Sequence, residues 1–287
     1  MSYKLKREHP FTKQVAVYKF IVNKANDGTP FTQLKTELQS LFEKNLDVPP
    51  IKITEHLSIK CRNIHTHNDK LLVFLSWYED ILDIPTTKIG AKDEINEESV
   101  ENADICHLFI SVKDNIIWAF ATLSSQQIHS KVTKVLTSLL PYNQLKVSFD
   151  VDNDYAATIM NEKVKHIAIE SSIDMCALGF PKRNFISRLL RKEVSSQDIQ
   201  PFGTLIIDNS SNVKVINEIE NHPNVALEYI AEDEENLDKN IYIVTKKNRK
   251  IDGESLKKRK LFYLMPYGKT KTVSWADAKN LLSENFD

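Results

Sequence analysis

The sequence predicts an α+β fold of two α+β domains, each a mostly antiparallel sheet with packed helices. Runs of β-branched and aromatic residues, separated by short polar turns, predict strands that pair with their neighbours in the chain. Other segments carry apolar residues at helical spacing. The chain has 287 residues, more than one average domain, and its 41% hydrophobic content is enough to form two cores.

The first predicted domain covers residues 1–150. In chain order we expect a strand (15–22), a helix opened by Thr29 and Pro30, two strands (57–64 and 70–78), an acidic loop (83–101), a hairpin (105–112 and 116–123) and a helix from Ile128 to Leu140. The hydroxyl and the proline suit the first positions of a helix. This order of strands and helices is typical of a single α+β domain.

The second predicted domain covers residues 151–287. The segment 142–163 is interpreted as a connection that contains one strand, 145–151. Beyond it we expect strands (166–175, 203–207 and 225–230), helices (185–194 and one containing Val215, Ile216 and Ile219), a terminal hairpin and a last short helix (275–282). The domain therefore alternates strands and helices and ends in a hairpin followed by a helix.

A concentration of positive charge near the C-terminus is the clearest functional signal. Residues 246–271 contain ten Lys or Arg and two acids, giving +8, whereas the whole chain has a formal charge of −1. The rest of the chain therefore carries −9. A segregated basic segment of this kind is typical of proteins that bind polyanions such as nucleic acids.

The flanking residues predict how this charge is presented. Apolar runs at 241–244 and 261–265 are interpreted as the two strands of a hairpin, with Asp252 and Gly253 marking its turn. The basic residues would then extend past the sheet as an arm that contacts phosphates. The arm residues are Lys246, Lys247, Arg249, Lys250, Lys257, Lys258, Arg259 and Lys260.

A second basic cluster lies in the predicted helix 185–194 and just before it. Its members are Lys182, Arg183, Arg188, Arg191 and Lys192, with no acid among residues 182–192. A solvated helix face explains such a cluster as well as phosphate binding does. An acidic run from Glu228 to Asp238 precedes the arm, and it is interpreted either as a solvated loop or as a cover for the basic residues.

Catalytic and metal-binding motifs give weaker signals. The sequence contains no phosphate-binding glycine loop, nucleophile elbow, HExxH or CxxC pattern, so we predict no cofactor and no metal. Cys61, His65 and His67 are close in sequence but lack a second ligand pair at zinc-finger spacing. The enzymatic alternative is a metal-dependent nuclease that uses carboxylates, and a protein-interaction scaffold is the other alternative. The candidate carboxylates are Asp152, Asp154, Glu170 and Asp174.

The chain has the features of a cytoplasmic protein. Its three cysteines, Cys61, Cys106 and Cys176, are scattered and odd in number, which favours free thiols in a reducing compartment. The N-terminus lacks the apolar core of a secretory signal, and no run of about 18 apolar residues occurs. We therefore predict a cytoplasmic protein that does not itself span a membrane.

The order of elements resembles the RexA-like phage exclusion proteins and, more distantly, the KwaB-type antiphage defence proteins. The resemblance covers most of the chain and lies in the segments VAVYKF, FTQLKTELQSLF, LFISVKDNIIWAFATL, KVTKVLTSLL and FISRLLRKEV. It implies a DNA-binding homodimer, with double-stranded DNA as its partner, that acts with a small membrane protein in abortive infection. One departure is that residues 213–220, where the family has a basic helix, contain only Lys214.

The residues and the resemblance together predict a non-enzymatic protein that binds DNA largely without sequence preference. On this interpretation the two basic clusters contact phosphates. Its role would be that of a sensor in phage exclusion or antiphage defence.

Overall fold

A computed structural model describes residues 3–4, 12–45, 50–86, 96–124, 127–140, 144–171, 203–233 and 239–286. The predicted α+β class is confirmed, with 33% helix and 46% strand among the described residues. The chain divides into two compact units, Met1–Val147 with Arg259–Asp287 and Ser148–Lys258. The division falls close to residue 150, whereas residues 259–287, which we had expected in the second domain, belong to the first unit.

Within the described residues, the larger sheet has nine strands: β1 (Tyr3–Lys4), β2 (Lys13–Lys24), β3 (Ile51–Lys52), β4 (Leu57–His67), β5 (Lys70–Thr86), β6 (Asn96–Lys113), β7 (Ile116–Thr122), β8 (Leu145–Phe149) and β13 (Arg259–Leu264). Their order is β1-β13-β2-β7-β6-β5-β4-β3, with β8 also paired to β2. The pairs along this order are antiparallel. The predicted hairpin of 105–112 and 116–123 is confirmed as β6 and β7.

The described part of the second sheet has four strands: β9 (Val164–Ser171), β10 (Gly203–Asp208), β11 (Lys239–Thr245) and β12 (Lys250–Asp252). Their order is β10-β9-β11-β12, and all neighbours are antiparallel. The strands are rich in isoleucine, and the register places Ile167 between Ile207 and Ile243, all three of them buried. These side chains therefore form the sheet's contribution to the core of the second unit.

Seven helices lie within the described residues: α1 (Leu34–Asn45), α2 (Ile128–Leu139), α3 (Asn153–Glu162), α4 (Asn209–Asn221), α5 (Pro223–Asp233), α6 (Gly253–Leu256) and α7 (Trp275–Asn285). Side chains cap four of them: Asp152 for α3, Asp208 for α4, Asp252 for α6 and Ser274 for α7 each accept a hydrogen bond from an amide of the first turn. Helix α4 packs on β9 and β10, and α5 packs on β11.

Three predicted elements differ from the structure. The segment 225–230 was predicted as a strand and is part of α5, because Ala226, Leu227 and Ile230 are buried at helical spacing. The prediction of an acidic loop at 83–101 is wrong for the residues that the structure describes, because Ile81 to Thr86 of β5 pair with Asn96 to Glu101 of β6. Helix α3 lies in a segment that was interpreted as a connection.

The predicted terminal hairpin is also wrong. Strand β11 pairs with β9 and β12, so that Ile243 faces Ile167 on one side and Ile251 on the other. Strand β13 instead lies between β1 and β2, with Phe262 facing Val15. The two apolar runs that we had interpreted as partners therefore belong to different sheets, and the basic residues between them do not form one arm.

The segments at the two ends of the second unit run side by side. Val151 and Lys257 form an antiparallel bridge. The amide of Asp152 donates to the carbonyl of Leu256, and the amide of Lys258 donates to the carbonyl of Asp150, both at 3.0 Å. The second unit is thus an insertion whose two ends are joined by backbone hydrogen bonds. Among the described residues, no helix combines the length and the apolar character needed to cross a bilayer.

Candidate nucleic-acid interface

The tight turn between β11 and β12 carries the most exposed positive charge of the predicted arm. The amide of Thr245 donates to the carbonyl of Arg249 at 3.0 Å, and the amide of Asn248 donates to the carbonyl of Thr245 at 2.8 Å. Asn248 has a φ of 60°, a left-handed conformation that asparagine tolerates well. Lys246 and Lys247 occupy the centre of this turn and are exposed.

A buried carboxylate stabilises this turn through contacts with two of its residues. Glu162, the last residue of α3, has a side chain that is only 7% exposed. It accepts a hydrogen bond of 2.7 Å from the Thr245 hydroxyl and pairs with the Arg249 guanidinium at 3.0 Å. The Thr245 oxygen also accepts from the amide of Arg249 at 3.1 Å. Because Thr245 is fully buried, these bonds fix the backbone from which the lysines project.

Two further lysines, which the charge pattern of the sequence does not single out, contact this turn. The amide of Lys246 donates to the carbonyl of Lys163 at 2.9 Å, and the Lys165 ammonium donates to the Asn248 side-chain oxygen at 2.8 Å. The Lys163 ammonium lies 3.5 Å from a carboxylate oxygen of Glu220. The even spacing of Lys165, Ile167 and Ile169, which places them on one face of a strand, was the available signal, but it does not show where the strand ends.

These residues form one basic cluster at one end of the second sheet. We call it the basic turn cluster; it comprises Lys163, Lys165, Lys246, Lys247, Arg249 and Lys250, all of which are exposed. Two carboxylates, Glu162 and Glu220, pair with its members. The Lys250 ammonium lies 4.1 Å from the centre of the Tyr242 ring, a cation–π contact. Six cations thus meet two carboxylates, which leaves an excess of positive charge at the surface.

The other four residues of the predicted arm lie outside this cluster and make other contacts. Lys257 is buried, lies over the Phe149 ring at 4.6 Å and pairs with Glu254 at 3.5 Å. Lys258 pairs with Asp150 at 3.1 Å. These contacts assign both lysines to the joined ends of the second unit.

Two arm residues lie on β13. Arg259 faces Tyr18 of β2. The Lys260 ammonium donates to the carbonyl of Asn285 at 2.9 Å and lies 5.0 Å from the Phe286 ring centre. Both residues therefore belong to the first sheet. The second predicted cluster, Lys182, Arg183, Arg188, Arg191 and Lys192, lies outside the described residues.

Two of the four candidate carboxylates of the nuclease alternative have structural partners. Asp152 caps α3 by accepting from the amide of Asp154 at 3.1 Å. The Glu170 carboxylate accepts hydrogen bonds of 3.0 Å from the Asn240 amide group and the Tyr242 hydroxyl. Burial, together with the hydrogen bond to Glu170, raises the pKa of Tyr242. Asp174 lies outside the described residues.

The histidines and the cysteine of the metal hypothesis do not converge. The Cys61 thiol donates to the carbonyl of Asn63 at 3.8 Å, and burial raises its pKa to about 11. The rings of His65 and His67 stack with centres 6.3 Å apart. Within the part of the chain that the structure describes, no three His, Cys, Asp or Glu side chains form a group that could hold a metal ion.

The acidic run that was interpreted as a loop or cover begins inside α5. Glu228 and Glu232 are half-buried residues of this helix. Glu234, Glu235 and Asp238 lie outside the described residues. The helical part of the run contradicts the interpretation of a loop.

Comparison with known proteins gives no relative: no family model matches the chain, and neither the curated proteins nor the solved structures contain a match. The α+β fold and the basic turn cluster are therefore the features from which a function can be inferred.

Proposed function

We propose that this protein binds nucleic acid, with double-stranded DNA as the expected partner, through phosphate contacts of the basic turn cluster. Six basic side chains gathered on and beside a hydrogen-bonded turn support this proposal. Lys246 and Lys247 project from the turn with no side-chain partner among the described residues, so phosphates can take up their hydrogen-bonding capacity. Lysines on a fixed backbone lose less conformational freedom on binding than lysines on a flexible tail.

The chemistry of the cluster favours weak sequence preference. Lysine ammonium groups act as point charges toward phosphates, whereas bases are read by bidentate side chains that enter a groove. Arg249, the one guanidinium in the cluster, is paired with Glu162. Binding without a chemical step is our proposal, because two of the three described candidate carboxylates, Asp152 and Glu170, serve as a helix cap and as an acceptor for strand side chains.

The biological setting rests on the resemblance to the phage exclusion proteins. We propose that the protein works as a homodimer in the cytoplasm and signals, after binding DNA, to a small membrane protein in a defence response. The DNA-binding role does not depend on this setting.

A salt-series binding assay tests the proposed function. Double-stranded DNA, single-stranded DNA and RNA of equal length are titrated with the protein between about 50 and 200 mM salt. We expect binding that is tightest for double-stranded DNA, falls steeply with salt and changes little between two unrelated sequences. Undetectable binding at low salt would support the scaffold alternative instead.

The same DNA incubated with Mg²⁺ or Mn²⁺ tests the enzymatic alternative. We expect the DNA to remain intact. Cleavage that is lost in the Asp152→Asn or Glu170→Gln variant would make the protein a nuclease and contradict the non-enzymatic proposal.

A further inference from the structure

One face of the second sheet carries an aromatic ring and an exposed apolar side chain beside the basic turn cluster. The register aligns Ile206, Ala168 and Tyr242 in a row across β10, β9 and β11. Successive residues of a strand point to opposite faces, so this row lies on the side away from the buried Ile167 and Ile243. Ile206 is 53% exposed and Tyr242 is half-buried, so this side of the row is in contact with solvent.

A hydrogen-bond network fixes the ring of Tyr242. Its hydroxyl donates to one carboxylate oxygen of Glu170 at 3.0 Å, and the side-chain amide of Asn240 donates to the other oxygen at 3.0 Å. Asn240 and Glu170 face each other across β11 and β9. Because the phenol is held at its far end, the ring loses little further freedom when another group stacks on it.

An exposed cation marks the accessible side of this ring. Lys250, the first residue of β12 and a member of the basic turn cluster, has its ammonium 4.1 Å from the centre of the Tyr242 ring. Since Lys250 is exposed, the side of the ring that it covers can be reached from solvent. Cation–π contacts at exposed sites are weak, and a lysine side chain is flexible. A flat group can therefore replace the ammonium on the ring.

The acids on the same face limit what can bind there. Glu170 bonds the Tyr242 hydroxyl, and Asp252 faces Tyr242 across the β11–β12 pair. Carboxylates repel phosphates, so a phosphate beside the ring is favoured only at the end where Lys250 lies. This face of the sheet therefore suits one base at the border of the basic turn cluster better than a strand that crosses the whole sheet.

We propose that Tyr242 binds one unpaired base of a nucleic acid by stacking, while the basic turn cluster contacts the neighbouring phosphates. Every base has a flat face, so stacking on an aromatic side chain needs no particular sequence. An unpaired base is the expected target, because a paired base must first leave its stack. The Lys250 ammonium then moves from the ring to a phosphate. This inference rests on the proposed function and adds a contact to a base.

Two duplexes that differ in a single group test the stacking in the full-length protein. Both contain one unpaired nucleotide at the same position, which carries thymine in one duplex and is abasic in the other, so the number of phosphates is equal. We expect the duplex with the base to bind about tenfold more tightly. The amide chemical shifts of Ala168, Ile206 and Tyr242 should change with this duplex and much less with the abasic one.

A matched pair of variants locates the base. Tyr242→Leu removes the ring and should bind the two duplexes equally, with the wild-type dependence on salt. Tyr267→Leu makes the same change at an exposed tyrosine of the first unit and should keep the tenfold preference. If Tyr242→Leu does not fold, the affinities and chemical shifts of the wild type decide.

Failure of this inference is distinguishable from failure of the proposed function. Salt-dependent binding of both duplexes with equal affinity overturns the stacking and leaves phosphate binding by the basic turn cluster in place. A preference that persists in folded Tyr242→Leu also overturns the stacking. Absence of binding to either duplex at about 50 mM salt overturns both.

Discussion

Thr245 is the residue on which the geometry of the candidate interface depends. Its buried hydroxyl links the Glu162 carboxylate, the amide of Arg249 and the turn between β11 and β12. Neither the composition nor the spacing of charges indicated this role, because Thr245 looks like any strand residue in a β-branched run. The lysines of the turn itself were predictable from the sequence, whereas the residue that holds their backbone was not.

Replacing Thr245 by valine keeps the shape of the side chain and removes its hydroxyl. We expect the Thr245→Val variant to lose about 1–3 kcal/mol in the free energy of unfolding, because Glu162 and the Arg249 amide each lose a buried hydrogen-bond partner. Urea unfolding measures this loss. Thr245→Ser retains the hydroxyl and should lose less; equal losses in the two variants would mean that the hydrogen bonds contribute little.

Asp208 has the carboxylate with the clearest dependence on pH. Hydrogen bonds from the Ser210 hydroxyl and the Ser211 amide lower its pKa from 3.8 to about 2. Since the folded pKa lies below the ordinary value, the stabilisation by this cap of α4 is present above pH 3.8 and is lost as the pH falls through 2.

Carboxyl carbon shifts recorded by NMR during an acid titration test this value. We expect the Asp208 pKa to rise toward its ordinary value in the Ser210→Ala variant, because the strongest hydrogen bond to the carboxylate is removed. An unchanged pKa in this variant would show that the serine hydroxyl is not the main cause.

Strand β13 shows most clearly where prediction from the sequence failed at the scale of elements. Its apolar residues were correctly assigned to a strand, but β2, its partner, lies more than two hundred residues earlier in the chain. Local patterns identify a strand without identifying its partner, and they favour pairing with the nearest apolar run, β11. The short helix α6 and the buried Lys257 separate the two runs and direct them into different sheets.

The remaining errors at this scale have similar physical causes. Val225 and Ile230 have strand-forming side chains, but burial follows the helical spacing of their neighbours in α5. The extension of β5 and β6 carries exposed apolar residues such as Ile81 and Val100, so it lacks the alternation that marks a half-buried strand. Elements with one regular buried face, such as α2 and α7, were predicted correctly.

Phe262 shows whether β13 is a strand of the core or the base of an exposed hairpin. It is 1% exposed and packs edge-to-face on Phe286 of the C-terminal segment, with ring centres 5.6 Å apart. We expect Phe262→Ala to reduce the free energy of unfolding by about 3–5 kcal/mol. Met265→Ala, at an exposed position just after β13, is the control and should change the stability little. Thermal or urea unfolding measures both variants, and equally small losses of stability in the two would contradict the assignment of β13 to the core.

At the scale of the whole molecule, the chain makes most of one unit, then the complete second unit, and then returns to finish the first. A boundary near residue 150 was visible in the sequence as the end of one series of elements. The point at which the chain re-enters the first unit, Arg259, was not visible, because it lies inside the most basic segment and no linker composition marks it. The joined backbone of Asp150 and Lys258 is what makes an insertion at this point possible.

Excising the inserted unit tests this organisation. We expect a chain in which residues 152–256 are replaced by a short glycine linker to unfold cooperatively, because the two ends already lie within hydrogen-bond distance. Residues 1–147 alone lack β13 and α7 and should not form the same core. Circular dichroism and amide shift dispersion compare the two chains, and a folded 1–147 fragment would contradict the division.

The central claim is that the basic turn cluster contacts phosphates, and the salt dependence of DNA affinity tests it most directly. Each phosphate contact contributes about 0.9 to the slope of log affinity against log salt concentration. The Lys246→Gln/Lys247→Gln variant should therefore bind double-stranded DNA more weakly, with a slope smaller by about 2. The Lys269→Gln/Lys271→Gln variant removes the same charge from the first unit and should retain the wild-type slope. Equal slopes in the wild type and the turn variant would contradict the claim.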